Sequence, residues 1–252
     1  MARLIEWRHV VVSLVLCLLA NTAAAADLTA DAVRAMLAAH TGADPPDLSN
    51  RDLAGLDLAG ADFKAANLTG ANLKGAILAG ADLSNATIDL AILRNADLRE
   101  AKLRGVKAFS TIFVDAKLAG ADLSGAMLVC NLENADLTGA NLSSIRAGAD
   151  MRNQSMGLMR LSLRNARLDG ANLAGADISR AMLDFADFPG ANLSGANLML
   201  AEAGGADFSG ADLTGANFSG VDVQNARFSG AKGLDSVIGF DTVVNRDSAR
   251  FD

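Results

Sequence analysis

The sequence predicts an all-β solenoid, and two features of the chain predict it. From Leu48 to about Asp235 the chain repeats the five-residue unit Ala-(Asp/Asn)-Leu-X-Gly, and runs such as residues 61–65, 66–70 and 71–75 follow one another without a gap. Repetition at a fixed short period is typical of solenoids, in which each unit packs only on its neighbours. The second feature is that a period of five fits neither an α-helix nor a continuous strand.

Five residues advance an α-helix by about 500°, so successive Ala/Leu pairs would not form one apolar stripe. In a strand, side chains alternate with a period of two, so an odd period would move the apolar set to the opposite face at each repeat. Both conflicts disappear if each quintet is a short extended side that ends in a corner. Gly or Asn at the fifth position, as in Gly55, Gly60 and Asn85, tolerates the left-handed conformation of such a corner. Ala and Leu then point inward, and Asp or Asn points outward.

The chain is therefore expected to coil as a parallel β-helix whose turns pair at about 4.8 Å. A three-sided coil stacks residues 15 apart, and this places Lys102 on Lys117. A four-sided coil stacks residues 20 apart, and this alternates the charges of Asp82, Lys102 and Asp122. The same 20-residue period stacks three phenylalanines (Phe188, Phe208 and Phe228). Four sides fit the sequence better.

The tandem quintets closely resemble the pentapeptide-repeat family over about 190 of the 252 residues. This resemblance implies a right-handed quadrilateral parallel β-helix. It implies little about activity, because the repeated letters encode only a core and its corners.

The N-terminus has the features of a secretory signal peptide. Arg3 and Arg8 precede an apolar run from Val10 to Ala20, and the run Ala23–Ala26 offers an Ala-X-Ala cleavage site. The apolar run is shorter than the approximately 20 residues of a membrane helix. We expect residues 1–26 to be cleaved, which predicts a periplasmic or secreted protein without a stable membrane anchor; an uncleaved anchor is the alternative.

Five further segments follow the signal. Residues 27–45 are predicted to form a short capping helix and a linker, with a mobile tail as the alternative. Residues 46–130 and 156–235 form two blocks of repeats, and 131–155 contains a register break or loop, with the missing residue placed in 131–134. A kink between two separate β-helices is the alternative. Residues 236–252 are expected to form an irregular C-terminal cap.

Composition narrows the possible partners. Without residues 1–26, the chain has 20 basic and 28 acidic residues, so nucleic acid is a poor partner. The charge is uneven: the net charge is −5 over residues 27–93, +3 over 94–180 and −6 over 181–252. The positive waist either meets an acidic partner or is balanced within ladders such as Arg167 with Asp187. A single cysteine after the signal, Cys130, excludes an internal disulfide.

The repeats carry no catalytic, metal-binding or cofactor-binding motif. The aspartates are the outward letter of the repeat, so paired carboxylates are expected from the period alone. His40 is the one histidine after the signal, and it lies at the end of the expected helix. We therefore expect no enzyme activity, no small-molecule substrate, no metal and no cofactor.

Apolar residues at outward letters are the remaining unusual feature. They concentrate before the register break, at Leu90, Ile92, Phe109, Ile112, Val114, Met127, Val129 and Cys130. Contiguous apolar surface and adaptable methionines are typical of binding sites. The candidate partner surface comprises Phe109, Ile112, Val129, Cys130, Met156 and Met159. Its occupant is either an unknown protein or a second copy, unless residues 131–155 fold over it.

These features favour a non-enzymatic, exported interaction or structural module. The family resemblance adds a second possibility, a DNA mimic that inhibits or protects an enzyme such as gyrase, although the signal peptide places the chain outside the cytoplasm. A secreted effector, or an accessory to an exported enzyme, is the third.

Overall fold

The computed structural model describes residues 28–40, 45–148 and 160–251. Parallel bridges join outward residues that are 20 apart, beginning with Asp47 to Asn67 and Asp52 to Asn72. Left-handed residues recur every five positions, so each coil has four corners. The predicted four-sided period is therefore confirmed. The inward Ala and Leu letters fill one continuous core with exposures near zero.

Each quintet is held by the same two sets of hydrogen bonds. Backbone amides donate to carbonyls of the adjacent coil, as Leu48 N–H does to Asn67 at 2.8 Å. Within a quintet, the outward Asp or Asn accepts from the amide two residues later, as Asp52 does from Ala54 at 3.2 Å. This local bond favours a turn over a helix or a longer strand. The residues after it then form the corner.

Helix α1 spans Ala30–Ala39 at the N-terminal end of the solenoid. The Thr29 hydroxyl accepts from the Ala32 amide at 3.2 Å and caps the first turn. Val33 is fully buried in the core cluster, and Leu28 and Leu37 pack against it. The predicted helix thus lies against the core, and Arg34 donates to the carbonyl of Ala59 at 3.0 Å.

Longer strands occur at one place only in the part of the chain that the structure describes. Strand β1 spans Lys107–Ile112 and strand β2 spans Met127–Asn131, and they pair in parallel. The register shifts between them, since Phe109 pairs with Val129 but Ile112 pairs with Asn131. The two strands therefore enclose a one-residue deletion.

The predicted position of this deletion was wrong. Cys130-Asn131-Leu132-Glu133-Asn134 is a complete quintet, because Cys130 is buried at the inward first letter and Asn134 has a left-handed φ of 58°. The short quintet is 126–129, which lacks its corner residue. With no left-handed residue there, the backbone continues as an extended strand through the corner.

Residues 149–159 lie outside the described residues, and the coils before and after them pair in register. Asn131 pairs with Ser162, Asp136 with Arg167 and Arg146 with Asp177, each 31 positions apart. An 11-residue insertion into a 20-residue coil accounts for this spacing. Residues 131–148 are regular coil, so the stack continues as one solenoid and not as two that meet at a kink.

The last coil differs from the others. Gly233, Gly239 and Asn245 occupy the inward third letter in left-handed conformations. Each opens a one-turn 3₁₀ helix, at Leu234–Ser236, Phe240–Thr242 and Arg246–Ser248. Leu234 and Phe240 pack against the core, and the Arg246 guanidinium lies 5.1 Å from the Phe240 ring centroid. The C-terminal segment therefore closes this end of the core with ordered turns.

Candidate binding edge

The deletion and the insertion share one edge of the solenoid. We call it the binding edge: the corner between the face that carries Phe109 and the face that carries Ile112. Below the deletion its corner residues are Asn50, Gly70, Leu90 and Ser110, and above the insertion they are Arg180, Leu200 and Gly220. The lost corner after Val129 and the insertion after Gly148 both interrupt this same column.

Two large apolar residues occupy left-handed corners on the binding edge. Leu90 has a φ of 61° and is 58% exposed, and Leu200 has a φ of 58° and is 41% exposed. A Cβ on Gly220 would lie 2.7 Å from the Leu200 side chain, so Leu200 extends over the next corner. A left-handed conformation costs an L-residue other than glycine roughly 1–2 kcal/mol. Glycine fills many equivalent corners without this cost.

The structure brings three of the predicted site residues together on this edge. Phe109 is 42% exposed, and Val129 lies beside it in the next coil, partly buried. Ile112, also partly buried, pairs with the exposed Ile92 on the adjoining face. Met156 and Met159 lie outside the described residues. We call Leu90, Ile92, Phe109, Ile112 and Val129 the apolar patch.

The prediction that Cys130 is exposed was wrong. The deleted corner moves Cys130 to an inward letter, where it is 4% exposed in the core cluster. Burial raises the pKa of the Cys130 thiol, because the thiolate would lose its hydration. Val114 was also expected to be exposed, and it is buried.

A groove of about 310 Å³ lies beside the lost corner. Thr111, Ile112, Val129 and Cys130 line one side, and Arg160 and Met182 contribute to the other. The Thr111 hydroxyl donates to the carbonyl of Ile88 at 2.7 Å, so this buried polar group is satisfied.

An ion-pair network borders the groove where the chain re-enters the solenoid. Arg160 Nη1 lies 2.7 Å from Glu202 Oε1, and Arg164 Nε lies 2.9 Å from Asp184 Oδ2. Arg164 Nη2 is also 3.5 Å from Glu202 Oε2, so Glu202 joins the two arginines. The network fixes Arg160, the first described residue after the insertion.

Sequence reasoning missed the apolar residues above the insertion. Met199 and Leu200 are 37% and 41% exposed on the binding edge, and Met182 lines the groove. Their letters could have revealed them, since Met182 is an outward second letter and Leu200 replaces a corner glycine.

The outward carboxylates act within the solenoid itself. Asp207 accepts from Ser209 N–H at 2.9 Å and pairs with Arg227 at 2.6 Å. The predicted balance between Arg167 and Asp187 is not formed as an ion pair, since Arg167 pairs with Asp136 and Asp169 instead. Burial, followed by the charges of Asp169 and Asp207, raises the pKa of Asp187. No group of His, Cys, Asp and Glu residues that could hold a metal ion is found among the described residues.

Comparison with known proteins identifies the repeat. The family model "Pentapeptide repeats" matches in eight copies, over residues 47–78, 66–105, 111–146, 162–198 and 191–230, which together cover more than half of the chain. The chain belongs to the pentapeptide-repeat family. This membership confirms the resemblance drawn from the quintets.

One solved pentapeptide-repeat protein is similar over nearly the whole chain. HetL of the cyanobacterium Nostoc sp. strain PCC 7120, described as involved in heterocyst differentiation regulation, is 30% identical. The alignment covers 89% of this chain and 95% of HetL, with a TM-score of 0.54. Pentapeptide-repeat neighbours of this kind imply a right-handed quadrilateral β-helix.

Other comparisons add little. A form of the plasmid-mediated fluoroquinolone resistance protein QnrB1 is 16% identical over 80% of this chain and 89% of its own, with a TM-score of 0.38. A search of curated proteins finds no match. Within the described ranges, no helix has the length and apolarity that a membrane span requires.

Proposed function

We propose that this pentapeptide-repeat protein is a non-enzymatic interaction module that binds another macromolecule along its binding edge. The observation that supports this proposal is that large apolar residues at exposed left-handed corners share one edge with the lost corner, the insertion and the groove. Leu90 combines backbone strain with an exposed apolar side chain, and both costs are avoided where glycine fills the corner. Strain and exposed apolar surface that persist together are typical of functional sites.

The rest of the edge supports the same proposal. Phe109 and Ile92 are exposed next to Leu90 on the two adjoining faces, and the groove opens beside them. Helix α1 and the last coil pack against the two ends of the core, so the sides of the rod offer the remaining surface. We also propose that α1 serves as an end cap. Val33→Asp should then lower the melting temperature far more than a change at the exposed Asp31, such as Asp31→Ala.

Site-specific photo-cross-linking in the producing cell tests the interaction. We replace Phe109 with p-benzoyl-phenylalanine and use Ser219, which has the same fourth letter on the same face, as the control position. A discrete adduct should form at position 109 and not at position 219. Equal adducts at both positions, or none at position 109, would contradict the proposal.

We further propose that the protein is exported, which rests on the charged, apolar and Ala-X-Ala order of residues 1–26. Mass spectrometry of the protein from its producing cells should give a mature chain that begins at or near Asp27. Retention of residues 1–26 on a cytosolic protein would contradict export and leave the interaction proposal standing.

A further inference from the structure

We propose that the partner of the binding edge is an acidic amphipathic helix, whose apolar stripe packs on the apolar patch. This inference rests on the proposed function, since it names the chemistry of the partner that the interaction module would bind. It is supported by the spacing of the patch residues, by the charges beside the patch, and by the poorer fit of a second copy or a membrane.

The apolar patch has the spacing of a helix stripe. Ile92 pairs with Ile112, and Phe109 with Val129, in two columns whose members are one coil apart, or about 4.8 Å. Residues i and i+4 of an α-helix have Cβ atoms about 5–6 Å apart, and its pitch is about 5.4 Å. A helix that runs along the rod axis can therefore place successive apolar residues against successive coils.

Two cations, Lys107 and Arg146, border the patch on the face of Phe109, and Asp177 follows Arg146 in the same ladder. Lys107 and Arg146 are exposed on either side of Met127, on the same face as Phe109. Neither cation forms an ion pair within the described parts of the chain. The nearby carboxylate of Asp89 accepts the Phe109 amide N–H at 2.8 Å, so one of its oxygens is occupied. Glu133 lies on the adjoining face, where it lines the groove. A helix with glutamate or aspartate beside its apolar stripe would complement Lys107 and Arg146.

A second copy of the chain fits this surface less well. A two-fold axis through the patch that sets the rods antiparallel would bring residues 27–93, with net charge −5, towards residues 181–252, with net charge −6. These blocks repel each other at low salt. A two-fold axis parallel to the rods would place each acidic block against the same acidic block of the second copy.

An anionic membrane is also disfavoured as the occupant. After residues 1–26, the chain carries a net charge of −8, which opposes approach to a negative surface. The walls of the groove beside the patch include polar groups of Asn131, Ser162 and Arg164, and these suit a polypeptide side chain better than a lipid tail.

Binding of synthetic helices to the purified exported protein tests the inference. We use three labelled peptides of about 16 residues, long enough to have helical character. One has a leucine stripe and glutamates, the second has the same stripe and lysines, and the third has glutamates with alanine in place of leucine. Fluorescence anisotropy should show binding of the first peptide and at least tenfold weaker binding of the other two. Equal or tighter binding of the lysine peptide, or no binding of the first, would overturn the inference.

Variants of the protein locate the site. Phe109→Ser should weaken binding of the glutamate–leucine peptide by about tenfold or more. Lys107→Glu should weaken it and make it less sensitive to salt. Phe185→Ser is the matched control, because Phe185 is 66% exposed on a different edge and its loss should change affinity less than about twofold. Equal losses at Phe109 and Phe185 would overturn the assignment of the site.

Three further measurements distinguish the other occupants. Phe109-dependent binding to phosphatidylglycerol vesicles, but not to the peptide, would favour a membrane. Phe109-dependent dimerisation in light scattering would favour a second copy, and a lower melting temperature of Phe109→Ser would favour cover from within the chain. Each result would overturn the helix proposal. A discrete protein adduct at position 109 without peptide binding would leave the interaction module intact and refute only the acidic helix.

Discussion

The phenylalanine ladder near the C-terminal end offers a measurable test of the core. Phe208 is fully buried and contacts three other rings. Its ring centroid lies 5.0 Å from that of Phe188 and 5.1 Å from that of Phe228, both stacked, and 5.7 Å from that of Phe218. We consider Phe208→Leu, because leucine is the commonest residue at this letter and preserves most of the volume.

Phe113→Leu provides a matched control. Phe113 is also fully buried at the inward third letter, and Leu93 and Leu132 hold that letter in the adjacent coils. Among the described residues, Phe113 makes no ring contact. Exchanges that nearly conserve volume cost less than about 1.5 kcal/mol, so we expect about 1 kcal/mol at Phe113. Each aromatic pair contributes about 0.5–1.5 kcal/mol beyond its burial. Loss of three such pairs should raise the cost of Phe208→Leu to about 2.5–5.5 kcal/mol.

Urea denaturation followed by far-UV circular dichroism measures the difference. Circular dichroism replaces intrinsic fluorescence because the one tryptophan, Trp7, lies in the segment expected to be cleaved and the chain has no tyrosine. Repeat arrays can lose two-state behaviour, so the slope m must be compared together with the midpoint. If both variants share the wild-type m and have equal free energies of unfolding, the ring contacts add nothing to burial. In that case ring stacking would not stabilise the ladder.

Three further predictions concern single positions. Asp187→Asn should raise the free energy of unfolding at neutral pH, because the folded state raises the pKa of this carboxyl. The gain should disappear as the pH falls below the pKa of the carboxyl in the unfolded chain, where this group is neutral in both states. A gain that does not depend on pH would contradict this cause. The buried Cys130 thiol should resist labelling by a thiol reagent in the native protein and react on unfolding. Cys130→Ala should lower the free energy of unfolding by less than about 1.5 kcal/mol. Rapid labelling of the native protein would show that the assigned register is wrong. In urea melts, Gly195→Ala should lower the free energy of unfolding by roughly 1–2 kcal/mol. Gly205→Ala should lower it by more, because only this substitution adds a Cβ that lies 2.6 Å from the Phe185 ring. Equal losses would mean that the ring moves freely.

The regular part of the fold could be predicted because its determinants are local and repeated. Corner residues, inward Ala and Leu, and the 20-residue ladders all follow from letters that recur many times. The stacked rings of Phe188, Phe208 and Phe228 were predicted from the same period and are confirmed. In a solenoid, each unit packs only on its neighbours, so a local pattern determines most of the tertiary contacts.

The position of the deletion could not be fixed by the period alone. The number of residues before Ala135 is the same whether Cys130 is a corner or an inward first letter, so the count does not distinguish the two placements. The decisive signal was the type of residue. A small apolar cysteine suits the inward alanine letter, and Asn134 suits the left-handed corner that ends a complete quintet. The burial of Cys130 follows from this one-residue shift.

The exposed corners show why the candidate site was only partly predicted. Sequence letters identified Phe109 and Ile112 as outward residues, but they gave no sign that one edge gathers the deletion, the insertion and the apolar corners Leu90 and Leu200. That convergence appears when the coils are stacked, because Leu90 and Leu200 are far apart in sequence and occupy one column. Strained corners also occur on other edges, as at the exposed Phe185. The deletion, the insertion and the groove lie on this edge, next to two cations that form no ion pair among the described residues, and they separate it from the regular faces, where Asp and Asn letters are held by local hydrogen bonds. The repeat supplies a nearly uniform rod, so under the proposed function a partner is recognised where the repeat is broken.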